Sequence, residues 1–376
     1  MRITVDTQTL VNAIAKIGMI AVKESIITFV TMKKQQGDKI SYAVTITAFD
    51  GKTQVASNLF AKSAEIDGDK VNFNLGCEIV GVVNAISREG NEMTVIEVNN
   101  SNVNISSGNS SVTLNRKSEG IEPIVFDLFN RECIEAFYEF NTAELSDAVD
   151  RILIGVDPSV NARCPGIYLA PLKDGRMVIR AMNGILLTEA SCTILQKQLK
   201  TSAPMSTVAR LVKNILSCTT CETVKVYKTT AHMVIQSKLQ LWQLPLLDNV
   251  IPEKAFGEVI GMPRPVCFSC KKSLLLNAIS VVLAAGDEAN KRLGLTMDSG
   301  KIMISNSDKS AKTLITPDSM EGEFEEIWLN ANIIKSAVGS IKGNELVFNL
   351  DSPKIPVAIR EKGIDNAVII VSPIAV

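Results

Sequence analysis

Residues 327–350 read IWLNANIIKSAVGSIKGNELVFNL, and the order of features in them decides the fold. A β-branched and aromatic start leads into a segment where Ile334, Ala337 and Ile341 recur at helical spacing. Gly343-Asn344 then breaks the chain, and the residues from Glu345 to Leu350 alternate as a strand does. The same succession occurs in VNFNLGCEIVGVVNAISREGNEMTVIEV from Val71 and in APMSTVARLVKNILSCTTCETVKVY from Ala203. The helices of the three copies start near Gly76, Ser206 and Asn330, at intervals of about 130 and about 124 residues. Self-similarity at a nearly constant period marks a duplicated structural unit.

A second helix type fills the gaps, in VDTQTLVNAIAKI from Val5, FNTAELSDAVDRI from Phe140 and FSCKKSLLLNAISVV from Phe268. Leu10, Ile14 and Ile17 share a face in the first, Leu145, Val149 and Ile152 in the second, and Leu275, Ile279 and Val282 in the third. Thr9, Thr142 and Ser269 are the expected caps or near-caps. Between helices lie alternating strands, with Asp50-Gly51, Asp174-Gly175 and Ser299-Gly300 at matching hairpin turns. The unit is therefore helix, strands, helix, strands, used three times. Boundaries near Glu122-Pro123 and Ile251-Pro252 give domains 1–122, 123–252 and 253–376. The expected class is α+β: three tandem domains, each with two helices on antiparallel sheets, forming an arc with the helices on one side.

Apolar residues are 46% of the chain and aromatic ones 5%, so the cores must be aliphatic. A formal net charge of −1 excludes a globally basic nucleic-acid coat and leaves a local basic surface open. MRITVDTQTL lacks the apolar run of a signal peptide, and LLLNAISVVLAAG and AVIIVSPIAV are shorter than the roughly 20 residues of a membrane span. The expectation is a soluble, cytoplasmic protein with reduced cysteines.

No phosphate-binding or dinucleotide-binding glycine motif is present. His232, the only histidine, has no nucleophile or carboxylate at a catalytic spacing. Cys218 with Cys221 and Cys267 with Cys270 form two C-x-x-C pairs, which in principle supply a tetrahedral zinc site. That leaves an alternative, a zinc-stabilised structural or regulatory protein on a duplicated scaffold. The 45 residues between the pairs exceed the usual ribbon spacing of about 15–20, so buried thiols acting as small hydrophobes are preferred. The expectation is no catalytic residue, no metal and no cofactor.

The helix faces carry more information. In the segment from Met205 to Leu216, Arg210 and Lys213 lie opposite the apolar stripe with no acid in the helix. Lys335 is exposed by the same reasoning, and Lys271 and Lys272 open the third-domain helix. Over the six helices and their flanks, ten basic residues face seven acidic ones, a net of +3 against −4 for the rest of the chain. That asymmetry suits a helical surface facing phosphates. An arc of sheets also ends in two unpaired strands, which a second copy could cover head to tail. The candidate edges are the strand containing Val112 and Leu114 and the segment from Val282 and Leu283 to Leu295.

Four stretches carry a resemblance to a known family: MRITVDTQTLVNAI at the start, VIRAMNGILLTEAS around Gly184, QLWQLPLLDNVIPEK from Gln240, and the ending from Ile327 to Val376. Together, over essentially the whole chain, they resemble the beta subunit of bacterial DNA polymerase III, the sliding clamp. The resemblance implies a head-to-tail homodimer ring around duplex DNA, bound without regard to sequence, that tethers a replicative polymerase and has a clamp loader among its partners. It places Lys23, Asn161 and Arg163 in loops that approach DNA. It also implies a groove for short linear peptides of the polymerase, the loader and repair proteins, at Met182, Gly184, Leu186, Leu187, Pro245, Val250, Ile370, Pro373 and Ile374. This chain departs from the family at Asn183, Ile185 and Leu186, which replace Asp, His and Arg, and in its Ser-Pro-Ile-Ala-Val ending. The groove is therefore expected to be more apolar than the family's.

Overall fold

The computed structural model describes residues 1–21, 25–36, 38–117, 134–156, 166–200, 204–248, 253–285 and 291–374. Both expected domain boundaries lie outside these residues. The described residues contain the expected α+β repeat three times. In the first repeat the order is β1 (Arg2–Asp6), α1 (Thr7–Ile17), β2 (Ile26–Gln36), β3 (Lys39–Phe49), β4 (Gln54–Ala61), β5 (Ser63–Glu65), β6 (Lys70–Gly76), α2 (Glu78–Ser87), β7 (Met93–Val98), β8 (Asn102–Ser107) and β9 (Ser110–Asn115). The second comprises β10 (Ile134–Asn141), α3 (Thr142–Ile152), β11 (Ile167–Pro171), β12 (Arg176–Met182), β13 (Leu186–Thr193), β14 (Gln196–Leu199), β15 (Met205–Thr207), α4 (Ala209–Ser217), β16 (Thr223–Thr229), β17 (His232–Gln236) and β18 (Gln240–Pro245). An additional helix, α5 (Glu253–Gly261), precedes the third repeat. That repeat comprises β19 (Val266–Lys271), α6 (Lys272–Ala285), β20 (Arg292–Asp298), β21 (Lys301–Ser305), β22 (Lys312–Ile315), β23 (Ser319–Glu321), β24 (Ile327–Asn330), α7 (Ala331–Ser340), β25 (Glu345–Leu350), β26 (Val357–Glu361) and β27 (Ala367–Val371).

Strand order repeats with the same fidelity. One half of each repeat has four strands, in the orders β6-β2-β3-β4, β15-β11-β12-β13 and β24-β20-β21-β22. The other half has five, in the orders β5-β1-β7-β8-β9, β14-β10-β16-β17-β18 and β23-β19-β25-β26-β27. The halves join by one rule. β18 pairs antiparallel with β4, and β27 pairs antiparallel with β13, making two nine-stranded sheets. The same rule leaves the outer edge of β9 in the first repeat and that of β22 in the third unpaired among the described residues.

The chain accordingly divides into two compact units. The first holds Met1–Thr142, Leu195–Thr201 and Asn214–Leu246; the second holds Ala143–Ile194, Ser202–Lys213 and Leu247–Val376. Each contains one nine-stranded sheet and one smaller sheet.

Local chemistry explains the elements. Asp6 at the end of β1 caps α1, its carboxylate accepting from the Thr9 amide at 2.7 Å and the Thr9 hydroxyl at 2.6 Å. Asn330 caps α7 by accepting from the amides of Asn332 and Ile333. Such a cap is worth about 1 kcal/mol. Thr9 is thus a near-cap inside the first turn, the donor to Asp6, which is the cap itself. Ser269 lies within β19, sharing a 2.7 Å hydrogen bond with the Ser319 hydroxyl. Leu10, Ala13, Ile14 and Ile17 are the buried stripe of α1, as the periodicity requires. The three dipeptide turns all close hairpins, with positive φ at Gly51 (94°), Gly175 (88°) and Gly300 (75°), a region that glycine enters without a Cβ penalty.

In both large sheets the helix-side face is packed with aliphatic residues and a directly opposed phenylalanine pair. Phe29 stacks on Phe73 with ring centroids 4.8 Å apart, and Phe268 stacks on Phe348 at 4.8 Å. One edge expectation needs correction. The segment from Val282 to Leu295 is not an edge, because β20 pairs with β21 on one side and β24 on the other. The strand that matches β4 and β13 in the third repeat is β22, an edge strand of four residues that is too short to stand out in the sequence.

Candidate functional site

The side of the second unit's nine-stranded sheet that faces away from α3 carries three of the expected groove residues, Met182, Leu187 and Ile370. Directly paired strands place residues in rows on one face. Met182, Leu187, Ile370 and Ala358 form one row across β12, β13, β27 and β26. Tyr168, Arg180, Glu189 and Val368 form the next, across β11, β12, β13 and β27. Leu186 is not on this face. As the neighbour of Leu187 in β13 it points the other way, pairs with Val371 and joins the helix-side core at 4% exposure. Gly184, with φ +88°, forms the β12–β13 turn, where the Asn183 side chain accepts from the amides of Ile185 and Leu186. Ile185 stands exposed at its tip. After β27, Pro373 and Ile374 are half-buried, held by backbone hydrogen bonds in which the Ser372 amide donates to the Ile185 carbonyl and the Ile374 amide to the Trp328 carbonyl. Pro245 ends β18 in the first unit, and Val250 lies outside the described residues.

Helix α5 covers these rows. Phe256, 2% exposed, clusters with Tyr168, Ala170 and Val178, and the Arg180 guanidinium lies 4.8 Å from its ring centroid. Arg180 is itself held by Glu189 at 2.7 Å. Met182 and Leu187 pack against the same cluster, while Val259 and Ile260 pack on Ala358, Val368 and Ile370. At the other end of the helix Arg264 donates to the carbonyls of Val259 (2.7 Å), Ile260 (3.2 Å) and Met262 (3.0 Å) and to that of Pro356 on the sheet side (2.6 Å). These bonds satisfy carbonyls that a helix C-terminus otherwise leaves open. The sequence reading missed this helix. Its signal is the i, i+3, i+4 spacing of Phe256, Val259 and Ile260, diluted by Gly257 and Gly261, which lower helix propensity.

The expected DNA-facing residues differ in their surroundings. Arg210 on α4 and Lys335 on α7 are exposed and have no ion-pair partner among the described residues. Lys213 lies 3.6 Å from Asp150, and Lys272 is spent as a cap, its ammonium donating to the carbonyls of Gly339 and Ile341 where α7 ends. Lys271 is exposed at the end of β19, opposite Glu345. Lys23, Asn161 and Arg163 lie outside the described residues. Asp147 on α3 takes hydrogen bonds from Arg151 (2.6 Å) and Lys342 (2.6 Å), and Arg151 also bonds Glu361 at 2.8 Å. Burial opposes ionisation of Asp147, but the two cations outweigh it and hold the carboxyl below its ordinary range. The acids of α3 therefore neutralise part of the positive charge that the sequence places on the helices.

Of the expected interface residues, Val112 and Leu114 lie half-buried on edge strand β9. Val282 is 2% exposed in the core of its own unit, Leu283 is half-buried, and Val281 beside them is exposed. On the opposite edge Leu314 of β22 is exposed.

Cys218 and Cys221 follow α4 in the first unit, and Cys267 and Cys270 lie on β19 in the second. Burial pushes the Cys270 thiol up to about 12, and the Cys192 thiol likewise. Among the described residues no group of three or more His, Cys, Asp or Glu side chains is placed to hold a metal ion. His232 opens β17, half-buried, and burial lowers its pKa. No described helix is long and apolar enough to cross a membrane.

The sequence matches no protein-family profile and no curated protein. Solved structures do match over the whole chain. The DNA polymerase III beta subunit of Thermotoga maritima aligns with a TM-score of 0.81 at 19% identity, covering 100% of this chain and 99% of that one. The beta subunit of Pseudomonas aeruginosa aligns at 0.83 and 15% identity, covering 100% of both. The Helicobacter pylori beta clamp, bound to a DNA ligase peptide, aligns at 0.77 and 16%, again with full coverage of both. At these identities the shared property is the fold, and the chain has the fold of the bacterial DNA polymerase III beta subunits, the sliding clamps.

Proposed function

We propose that this chain is a DNA sliding clamp, a non-catalytic processivity factor in which two copies close head to tail around duplex DNA. The observation that carries the reading is the joining rule of the sheets. The fifth strand of one half meets the fourth strand of the preceding half at β18–β4 and at β27–β13. Applied once more, the rule pairs β9 of one copy with β22 of another. Two such junctions close a ring of three repeats per copy and cover the outer edges of β9 and β22, because a head-to-tail, heterologous contact forms a closed ring when its rotation closes. Val112 and Leu114 of β9 would then meet Leu314 of β22, beside Val281 and Leu283 of α6.

Arg210, Lys335 and Lys271 supply phosphate contacts in this reading, with Lys23, Asn161 and Arg163 as further contacts from loops. Few unpaired cations give weak, sequence-independent binding, which suits a ring that must slide. The face around Leu187 and Ile370 is the surface for short linear peptides from a polymerase, a clamp loader and repair proteins, as the H. pylori clamp holds a ligase peptide. Such a protein would work in the cytoplasm, beside the chromosome.

The test is retention on DNA. After loading, the protein should stay on nicked circles and leave when they are linearised, and its solution mass should be that of a dimer. Equal retention on both templates, or a monomer that binds neither, overturns the reading.

A further inference from the structure

The rows under α5 are a docking surface already occupied by the chain itself. Without α5, Tyr168, Val178 and Ile370 would face solvent, yet they are 1–2% exposed. The occupant is held at both ends, by Phe256 beneath Arg180 and by the Arg264 bridge to Pro356. Its anchors are an aromatic ring followed by an aliphatic side chain one turn later.

We propose that α5 is an intramolecular occupant of the peptide face, so that a partner segment engages Leu187 and Ile370 only by displacing it. This rests on the reading of that face as a peptide site. The geometry also gives the chemistry of a displacing ligand: an apolar linear segment with an aromatic residue for the guanidinium plane of Arg180 and an aliphatic one for Ile370. A short segment gains little on a face already filled, because it must replace contacts of equal quality. Loosening α5 raises its affinity by the fraction of molecules in which the face is open.

The probe is a fluorescein-labelled peptide with residues 253–264 of this chain, EKAFGEVIGMPR, followed by fluorescence anisotropy on the full-length protein. Phe256→Ala vacates the aromatic position and should bind the peptide at least tenfold more tightly than the unaltered chain. Arg264→Gln keeps every apolar anchor and loosens only the latch, so it should bind with intermediate affinity. It also serves if Phe256→Ala fails to fold, as judged by a cooperative thermal transition. Equal affinity for the folded variants and the unaltered chain, or no binding to any of them, overturns the proposal. Retention on circular DNA, measured on the same proteins, separates the two ideas. Loss of retention in all of them removes the clamp reading and leaves the peptide result standing, whereas retention without any peptide effect removes only the role of α5.

Discussion

The two nine-stranded sheets share strand order and junction geometry, but the faces turned away from the helices differ in chemistry. At the first junction Gln54 lies opposite Gln243, and Ala56 opposite Leu241. At the second, Leu187 lies opposite Ile370, and Glu189 opposite Val368. Farther along, the first sheet leaves Met32 and Phe60 exposed on either side of Ala43, whereas in the second Tyr168, Val178 and Ile370 are buried under α5. Duplication therefore fixes the path of the strands, and the outer face is free to diverge. In the second unit it has become apolar enough to need a helix over it.

The sharpest way to break this contrast is to truncate one phenylalanine in each unit. Phe256→Ala removes a ring at 2% exposure and should cost about 3–5 kcal/mol, whereas Phe60→Ala, at 58% exposure, should change stability by less than about 0.5 kcal/mol. Denaturant melts read both. Similar effects at the two sites would mean that α5 is not part of the packed unit. Next in size, Arg264→Ala leaves the last carbonyls of α5 and that of Pro356 without their donor, and should cost about 1–3 kcal/mol. Amide exchange should then quicken in α5 before it quickens in β12 or β13. Uniform quickening would show that the helix and sheet open together.

The turns should show where the two units are alike. Gly51 and Gly184 both have φ near +90° with no heavy atom within 4 Å of an added Cβ, so only backbone strain resists substitution. Gly51→Ala and Gly184→Ala should each cost about 1–2 kcal/mol. A cost well above that at Gly184 alone would show that its turn is constrained by something packed on it.

These contrasts also show what the sequence could reveal. Asp50-Gly51, Asp174-Gly175 and Ser299-Gly300 were legible because only a few residue types tolerate their backbone angles. Six of the helices were legible because each buries one long stripe. Helix α5 was not, since its stripe is three residues long and lies between Pro252 and Pro263 with two glycines inside it. The groove residues came from family resemblance, and an apolar run such as Ile185-Leu186-Leu187 does not show which side chain faces which way. Register decides that, and it sends Leu186 to the core and Leu187 to the outer face. The role of Lys272 was hidden for a similar reason, because the carbonyls it caps lie 67 and 69 residues away.

The smallest expected effect asks whether the two faces of the second sheet act independently. Asp147 belongs to α3, whose last turn meets the helix side of that sheet through the Thr188 hydroxyl donating to the Ile152 carbonyl. Its carboxylate is 41% exposed, so solvent screening keeps the pairs with Arg151 and Lys342 below about 1 kcal/mol. Because its folded pKa is depressed, the contribution is present above the unfolded value near 3.8 and is lost as pH falls through the folded one. The stability difference between the unaltered chain and Asp147→Asn should therefore be constant from neutral pH to about pH 5 and close below about pH 4. A gap that persists at lower pH would mean that the amide disturbs packing and that lost charge is not the cause. Combined with Phe256→Ala, the two costs should add to within about 0.5 kcal/mol, because Leu187 and Thr188 point to opposite sides of β13. Larger coupling would show that the strands transmit strain from the covered face to the helices, and that displacing α5 alters the surface proposed to face DNA.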